Sequence, residues 1–275
     1  QRQMCIRDSF QTILLVGCGN MAGAMLEGWL KGGIPASRFT VVDPRRESVP
    51  AGVTLLRELP ADGAFDAVML GIKPQGLDDA APAIAPLVGR QTVLFSILAG
   101  VEFDSLAARF PDAGAILRIM PNLAVAIGKS PVALDSRGLD EIGRAEVTAL
   151  MAPLGAPEWL DHEGQFDAVT ALTGCGPAFV YRFIDALAAG GVALGIEARQ
   201  AQRLAVAMVE GAAQLAAASP FSPGELADKV ASPGGSTRAG MNVLDADDAL
   251  ARLIADTMQA SNDRNAEMAA EARRG

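Results

Sequence analysis

Gly17, Gly19 and Ala22 stand in the spacing Gly-x-Gly-x-x-Ala. They follow the apolar run Ile13-Leu14-Leu15-Val16 and precede a helical pattern marked by Met25, Leu26, Trp29 and Leu30. A strand, a glycine turn and a helix in that order build a cradle for a dinucleotide pyrophosphate. Gly17 permits the tight turn, Gly19 puts no side chain between backbone and phosphate, and Ala22 keeps the helix close to the strand. The first helical amides, at Asn20, Met21 and Ala22, then face the anion with the helix dipole behind them. A second glycine-rich segment, Val230-Ala231-Ser232-Pro233-Gly234-Gly235-Ser236-Thr237, joins two helical stretches. Its amides and the helix start that follows suit a carboxylate, and Thr237 adds a hydroxyl that donates or accepts. The competing reading is a plain inter-helix loop with Ser236 or Thr237 as N-cap.

Other polar residues fall at the expected mouth of a nucleotide site. Asp43 ends the second strand candidate, where a carboxylate accepts from an adenosine ribose and selects NAD; Arg45 and Arg46 follow and suit a 2′-phosphate instead. The choice between NADPH and NADH stays open. Ile72, Lys73 and Pro74 follow the fourth strand candidate, where Lys73 can meet phosphate or ribose. Ala99 and Gly100 follow the fifth and let backbone lie against a flat nicotinamide; Met120 follows the sixth, similarly placed at the presumed mouth. The single histidine, His162, reads as a cap or surface residue, and Trp29 and Trp159 as packing.

The elements that must carry these residues alternate. Strand candidates at 13–16, 39–42, 53–56, 67–71, 92–96, 115–119 and 131–134 are mostly continuous apolar runs, as in parallel strands covered on both faces. Helical patterns at 77–87 and 103–110 lie between them, with Asp104 as a cap for the latter. The order predicts an α/β, doubly wound sheet. From residue 163 onward the patterns are helical and rich in alanine, longest at 179–194, 199–217 and 246–272. The expected division is therefore a leader at 1–9, disordered or extraneous and without the apolar core of a signal peptide, a dinucleotide-binding domain at 10–161, and an all-helical domain at 162–275. Small apolar helix faces in the latter suggest pairing with a second copy.

A net charge of -9 without a basic stripe argues against nucleic acid and anionic membrane as partners. Three unclustered cysteines form no zinc or disulfide pattern, so no metal is expected and a reducing cytoplasm fits.

Together the motifs resemble the pyrroline-5-carboxylate reductase family over nearly the whole chain after the leader. The resemblance rests on Gly17-Cys18-Gly19-Asn20-Met21-Ala22, Ile72-Lys73-Pro74, Arg118-Ile119-Met120-Pro121-Asn122, the run from Ala168 through Thr173-Gly174-Cys175-Gly176-Pro177-Ala178, and Ala231-Ser232-Pro233-Gly234-Gly235-Ser236-Thr237. Where the family usually has Thr-Pro after Met-Pro-Asn, Leu123 and Ala124 stand here. The resemblance implies a Rossmann domain followed by an all-α dimerisation domain. It implies reduction of 1-pyrroline-5-carboxylate to L-proline with NADPH or NADH, and assembly as a homodimer or a larger ring of dimers. It implies an active site between the two domains, with the partner copy contributing. Ser232 to Thr237, with Val230 and Met120 beside them, would then hold the substrate, and Thr237 would hydrogen-bond near the ring nitrogen. The alternatives are a related NADP-dependent imine reductase, a β-hydroxyacid dehydrogenase, and a non-enzymatic NADPH sensor. A hydroxyacid dehydrogenase needs a catalytic lysine in the second domain; Lys229 is the only lysine there and no Lys-x-x-x-Asn follows.

Overall fold

The computed structural model describes residues 10–272, so the expectation for residues 1–9 lies outside the described residues. Eight strands form one sheet: β1 (Ile13–Val16), β2 (Phe39–Val42), β3 (Thr54–Leu56), β4 (Ala67–Leu70), β5 (Val93–Ser96), β6 (Ala115–Met120), β7 (Ser130–Arg137) and β8 (Gly155–Trp159), in the order β3-β2-β1-β4-β5-β6-β7-β8. The order reverses between β1 and β4, which opens a crevice beyond their carboxyl ends. Alternate residues of β1 serve opposite faces. Ile13 and Leu15 join Met25, Trp29 and Phe95 on one side, and Leu14 and Val16 join Leu70, Leu94 and Phe110 on the other. Burial of both faces is what makes the strand apolar throughout.

Two strands depart from the expected parallel sheet. β7 runs antiparallel to β6, pairing Met120 with Ala133. The connection between them holds only a short 3-10 turn, Leu123–Ile127, closed by Gly128 at φ +66°, and a parallel return needs a longer crossover. β8 was hidden by Gly155 and Pro157; it is tolerated as a strand because it lies at the sheet edge.

The helices of this part are α1 (Asn20–Lys31), α2 (Leu77–Ile84), α3 (Phe103–Arg109), α4 (Glu141–Met151) and α5 (Phe166–Val169). The expected helix at 77–87 contains Pro82 and changes to a 3-10 turn at Ala85–Leu87. Asp104 does not cap α3: its carboxylate pairs with Arg137 at 2.7 Å, and the Phe103 amide donates instead to Glu163 Oε1 at 2.6 Å. Trp29 is fully buried on α1, and its indole N–H donates to the Leu150 carbonyl at 2.8 Å, tying α1 to α4.

The chain divides into two compact units, one holding the described residues up to Gly174 and from Ser261, the other Cys175–Ala260. The segment after β8 packs on the sheet and so belongs to the first compact unit. Phe166 is buried with Met120 and Ala133, and Asn265 Nδ2 donates to the Asp167 carbonyl at 3.2 Å. The second unit holds α6 (Gly176–Ala193), α7 (Ala198–Ala218), α8 (Pro223–Val230), α9 (Ser236–Asp245) and the start of α10 (Ala249–Ala272). The expected helix at 246–272 begins with a kink, with Asp247 at φ +52° and Asp248 at φ +56°. Small residues bring α6 close to α7: a Cβ on Gly191 would sit 3.4 Å from the Ala201 Cβ. Among the described residues no single helix is long and apolar enough to cross a membrane.

Candidate functional site

The glycine turn after β1 is held from both sides. The Gly17 amide donates to the Val42 carbonyl and the Gly71 amide to the Val16 carbonyl, each at 2.8 Å. Gly17 has φ +85°, and its Cβ would lie 2.8 Å from the Gly71 oxygen; a Cβ on Gly71 would lie 2.3 Å from the Gly17 oxygen and 3.0 Å from the Ala22 Cβ. Two backbones therefore touch where β1 and β4 end, and only glycine fits at either position. Gly19 is different: a Cβ there meets nothing within 4 Å, so its backbone faces open space.

That space is a cavity of about 940 Å³, within the range of ligand clefts, roughly 300–1,000 Å³. Gly17, Gly19, Asn20, Met21 and Ala22 form one wall, Asp43 and Arg45 another, and Ile72 and Lys73 a third. The residues fit a dinucleotide: unhindered backbone at Gly19, the α1 N-terminus for the pyrophosphate, and cations at Arg45 and Lys73 on the rim. Gln75, Gly76 and Ile97 also line it and carry no motif that marks them in sequence, although each follows the carboxyl end of a strand.

Three expected cofactor residues lie outside this cavity. After Lys73 the chain enters a 3-10 turn, Pro74–Gly76, and Pro74 and Ala99 line a neighbouring cavity of about 440 Å³ with Leu77, Ser105 and Arg109. Gly100, at φ +73°, lies against the backbone of α10; its Cβ would be 3.1 Å from the Ala269 nitrogen.

Asp43 lines the cavity, yet its carboxylate braces the turn. Oδ2 accepts from the Cys18 amide at 3.0 Å and Oδ1 from the Arg45 amide at 2.9 Å. Burial pushes the Asp43 pKa up, but the amide donors of Cys18, Arg45 and Arg46 and the charge of Arg45 outweigh it and hold the carboxyl below its ordinary value. The Arg46 guanidinium is also turned inward, onto the Cys18 carbonyl. Arg45 is exposed at the cavity wall. Burial raises the Cys18 thiol, opposed in part by Arg46.

On β6 and just after it the first unit carries a buried latch. Arg118 is 4 % exposed, pairs with Glu163 at 2.6 Å and lies 4.0 Å from the Phe166 ring centre. Asn122 accepts from the Ala124 amide and donates to the Thr173 carbonyl, both at 2.9 Å, which ties the end of β6 to a π-turn at Thr170–Gly174. Met120, expected on the substrate side, is buried in a small cluster with Ala133 and Phe166.

In the second unit, Val230 ends α8, and the chain turns over Ser232-Pro233-Gly234-Gly235 into α9. Gly235 N–H donates to the Ser232 carbonyl at 2.9 Å and Gly234 has φ +75°, a type II turn with proline and glycine in their preferred places. The N-cap of α9 is Gly235, without a side-chain cap, so neither Ser236 nor Thr237 takes the capping role. The first intrahelical bond runs from Ala239 N–H to the Gly235 carbonyl, which leaves the amides of Ser236, Thr237 and Arg238 ahead of it. Ser232, Gly234, Gly235, Ser236 and Thr237 thus share one turn and helix start.

Residues 163–268 match the family model described as pyrroline-5-carboxylate reductase dimerisation. The chain is 32 % identical over 264 residues to the pyrroline-5-carboxylate reductase of Pseudomonas aeruginosa, covering 94 % of this chain and 96 % of that one. The chain belongs to the pyrroline-5-carboxylate reductase family. Its fold matches the Coxiella burnetii member at a TM-score of 0.86 and 24 % identity, over 94 % of this chain and 98 % of that one. It matches a Plasmodium falciparum pyrroline carboxylate reductase with NADP bound at a TM-score of 0.81 and 20 % identity, over 95 % and 99 %.

Proposed function

We infer that this chain is an oxidoreductase of proline biosynthesis that reduces the C=N bond of 1-pyrroline-5-carboxylate to L-proline with NADPH or NADH. The observation that carries this reading is the Gly17–Gly71 backbone contact and the cavity it shapes, in a chain aligned almost end to end with pyrroline-5-carboxylate reductases. A reduced nicotinamide held there would supply the hydride that the imine carbon needs. The chain's own residues orient. The α1 N-terminus, Gly17, Gly19 and Lys73 hold the dinucleotide; Ser232, Gly234, Gly235 and Ser236 hold the substrate carboxylate; the Thr237 hydroxyl directs the ring nitrogen, whose proton comes from solvent. A protonated imine is already electrophilic, so alignment carries most of the rate gain and no buried acid–base pair is required. Thr237→Ala is expected to lower kcat/KM by ~10- to 100-fold, the scale of one oriented hydrogen bond of ~1.5–3 kcal/mol.

NADPH is the preferred cofactor in this reading, because Asp43 is spent on two backbone amides while Arg45 stays exposed on the cavity wall. Exposed apolar side chains on α6 and α7, among them Tyr181, Phe183, Leu204 and Leu215, support a homodimer. Cysteines without a disulfide pattern support a cytoplasmic setting. The test is NADPH oxidation followed at 1-pyrroline-5-carboxylate saturation, with NADH and with hydroxyacids in reverse as controls. Turnover on hydroxyacids alone, or on nothing, would overturn the assignment.

A further inference from the structure

The turn at Ser232–Gly235 has little of its own to hold it. Beside the Gly235–Ser232 bond, Ser232, Pro233 and Gly234 are exposed, and among the described residues nothing lies within 4 Å of a Cβ built on Gly234. Its stems are also short: α8 has 8 residues and α9 has 10, lengths at which an isolated helix is marginal in water. The N-terminus of α8 is fixed by a reciprocal capping box between Ser222 and Glu225. Its C-terminus is fixed from the other stem. Arg238, in the first turn of α9, reaches back across the neck of the loop. Its Nη2 donates to Asp228 Oδ1 at 2.7 Å and to the Ala231 carbonyl at 3.5 Å. Ala231, 3 % exposed, is the C-cap of α8, so the guanidinium meets an end carbonyl where a cation is favoured. The neighbouring cation, Lys229, is engaged elsewhere, 3.2 Å from the Phe221 ring centre.

We propose that Arg238 is a positioning residue for the substrate: by clamping Asp228 and Ala231 at the end of α8 to the start of α9, it holds residues 232–237 in the shape that receives a small carboxylate. The inference rests on the reading of that loop as the carboxylate site. It assigns Arg238 no contact with the reacting atoms. Because Asp228 is 70 % exposed and Arg238 31 %, the clamp has the strength of a surface pair, which converts to a change of about 2- to 5-fold in substrate affinity.

The test uses the full chain and the variants Arg238→Ala, Arg238→Lys and Asp228→Asn. Steady-state kinetics is expected to show the KM for 1-pyrroline-5-carboxylate raised about 2- to 5-fold in Arg238→Ala, with kcat and the KM for NADPH unmoved. Arg238→Lys should recover part of the loss, and Asp228→Asn should shift KM the same way by less. Calorimetric titration with L-proline should weaken in parallel. Amide hydrogen exchange should quicken at residues 231–238 and not across the unit; this readout stands even where a variant is poorly active. An unchanged substrate KM with wild-type exchange in Arg238→Ala overturns the inference, as does an equal rise in both KM values. If the wild-type chain reduces the imine and Thr237→Ala impairs it while Arg238→Ala leaves the substrate KM and the exchange unchanged, the clamp alone is wrong. A wild-type chain without imine turnover removes the loop reading and the clamp with it.

Discussion

Gly71→Ala is the sharpest perturbation of the cradle, because it adds one methyl group where two chain segments already touch. The new Cβ would sit 2.3 Å from the Gly17 oxygen and 3.0 Å from the Ala22 Cβ. Neither neighbour is a flexible side-chain end. Relief requires β1 and β4 to separate by about an ångström, since carbon–carbon contacts settle near 3.5–4.0 Å. That separation works against the Gly71–Val16 hydrogen bond at 2.8 Å. Overpacking costs about 1–3 kcal/mol, and a lost backbone bond adds about 1 kcal/mol, so a loss of about 2–4 kcal/mol is expected for the first unit. At about 2–4 °C per kcal/mol for a unit of this size, Tm should fall by about 4–16 °C. The same displacement moves the turn away from the α1 amides, so NADPH binding, followed by its fluorescence on titration, should weaken at least tenfold. Gly89→Ala is the control, being exposed with nothing within 4 Å of its Cβ. A Gly71→Ala chain with Tm within about 1 °C of wild type and unchanged NADPH affinity would refute the claim that contact between Gly17 and Gly71 shapes the site.

Asp43→Asn should destabilise the chain by about 1–3 kcal/mol at neutral pH, because an amide nitrogen would then oppose one of the two backbone donors. The Asp43 pKa lies below its ordinary value of 3.8, so its stabilising share is complete above that value and lost as pH falls through the folded pKa. The Tm gap between wild type and variant should therefore close in acid below about pH 4, and a gap independent of pH would contradict this account. Burial both shields the Cys18 thiol and raises its pKa above the ordinary value, so iodoacetamide should label the half-buried Cys175 well before Cys18 in the native chain; peptide mass spectrometry showing the reverse order would sink it. Glu163→Gln leaves Arg118 buried without its counter-charge and should cost about 2–3 kcal/mol, discounted from a fully buried pair because Glu163 is 29 % exposed. A double variant Arg118→Leu with Glu163→Gln should recover much of that, and chemical denaturation showing both variants equally unstable would count against the pairing.

The cradle was legible because it is built from neighbours in sequence. Gly17, Gly19 and Ala22 lie within six residues, and the strand before them and the helix after them carry their own periodicities. The role of Asp43 was only half legible. Its position after β2 was correct, but whether its carboxylate faces a ribose or the Cys18 and Arg45 amides depends on how the turn folds over it. The partner of Gly17 was less legible still. Gly71 reads as the end of a strand, and its demand for glycine comes from a backbone 54 residues away.

The same distinction explains what replaced the expected caps. Asp104 sits in the right place to cap α3 by local rules, yet it faces Arg137 while Glu163 from beyond β8 takes the Phe103 amide. Helix ends ask only for an acceptor within reach, and a folded chain can supply it from any segment that passes by. Local rules therefore locate an end better than they name its partner. Glu163 serves twice, since the oxygen that accepts from Phe103 also meets Arg118. One carboxylate thereby joins α3, β6 and the segment that leads through Phe166 to the π-turn, and Asn122 fastens that turn a second time at Thr173. Two independent polar ties on a stretch of a dozen residues are more than packing of Phe166 alone demands. They fasten the segment after β8 to the first unit at both of its ends, so its path is set by polar partners as well as by the burial of Phe166.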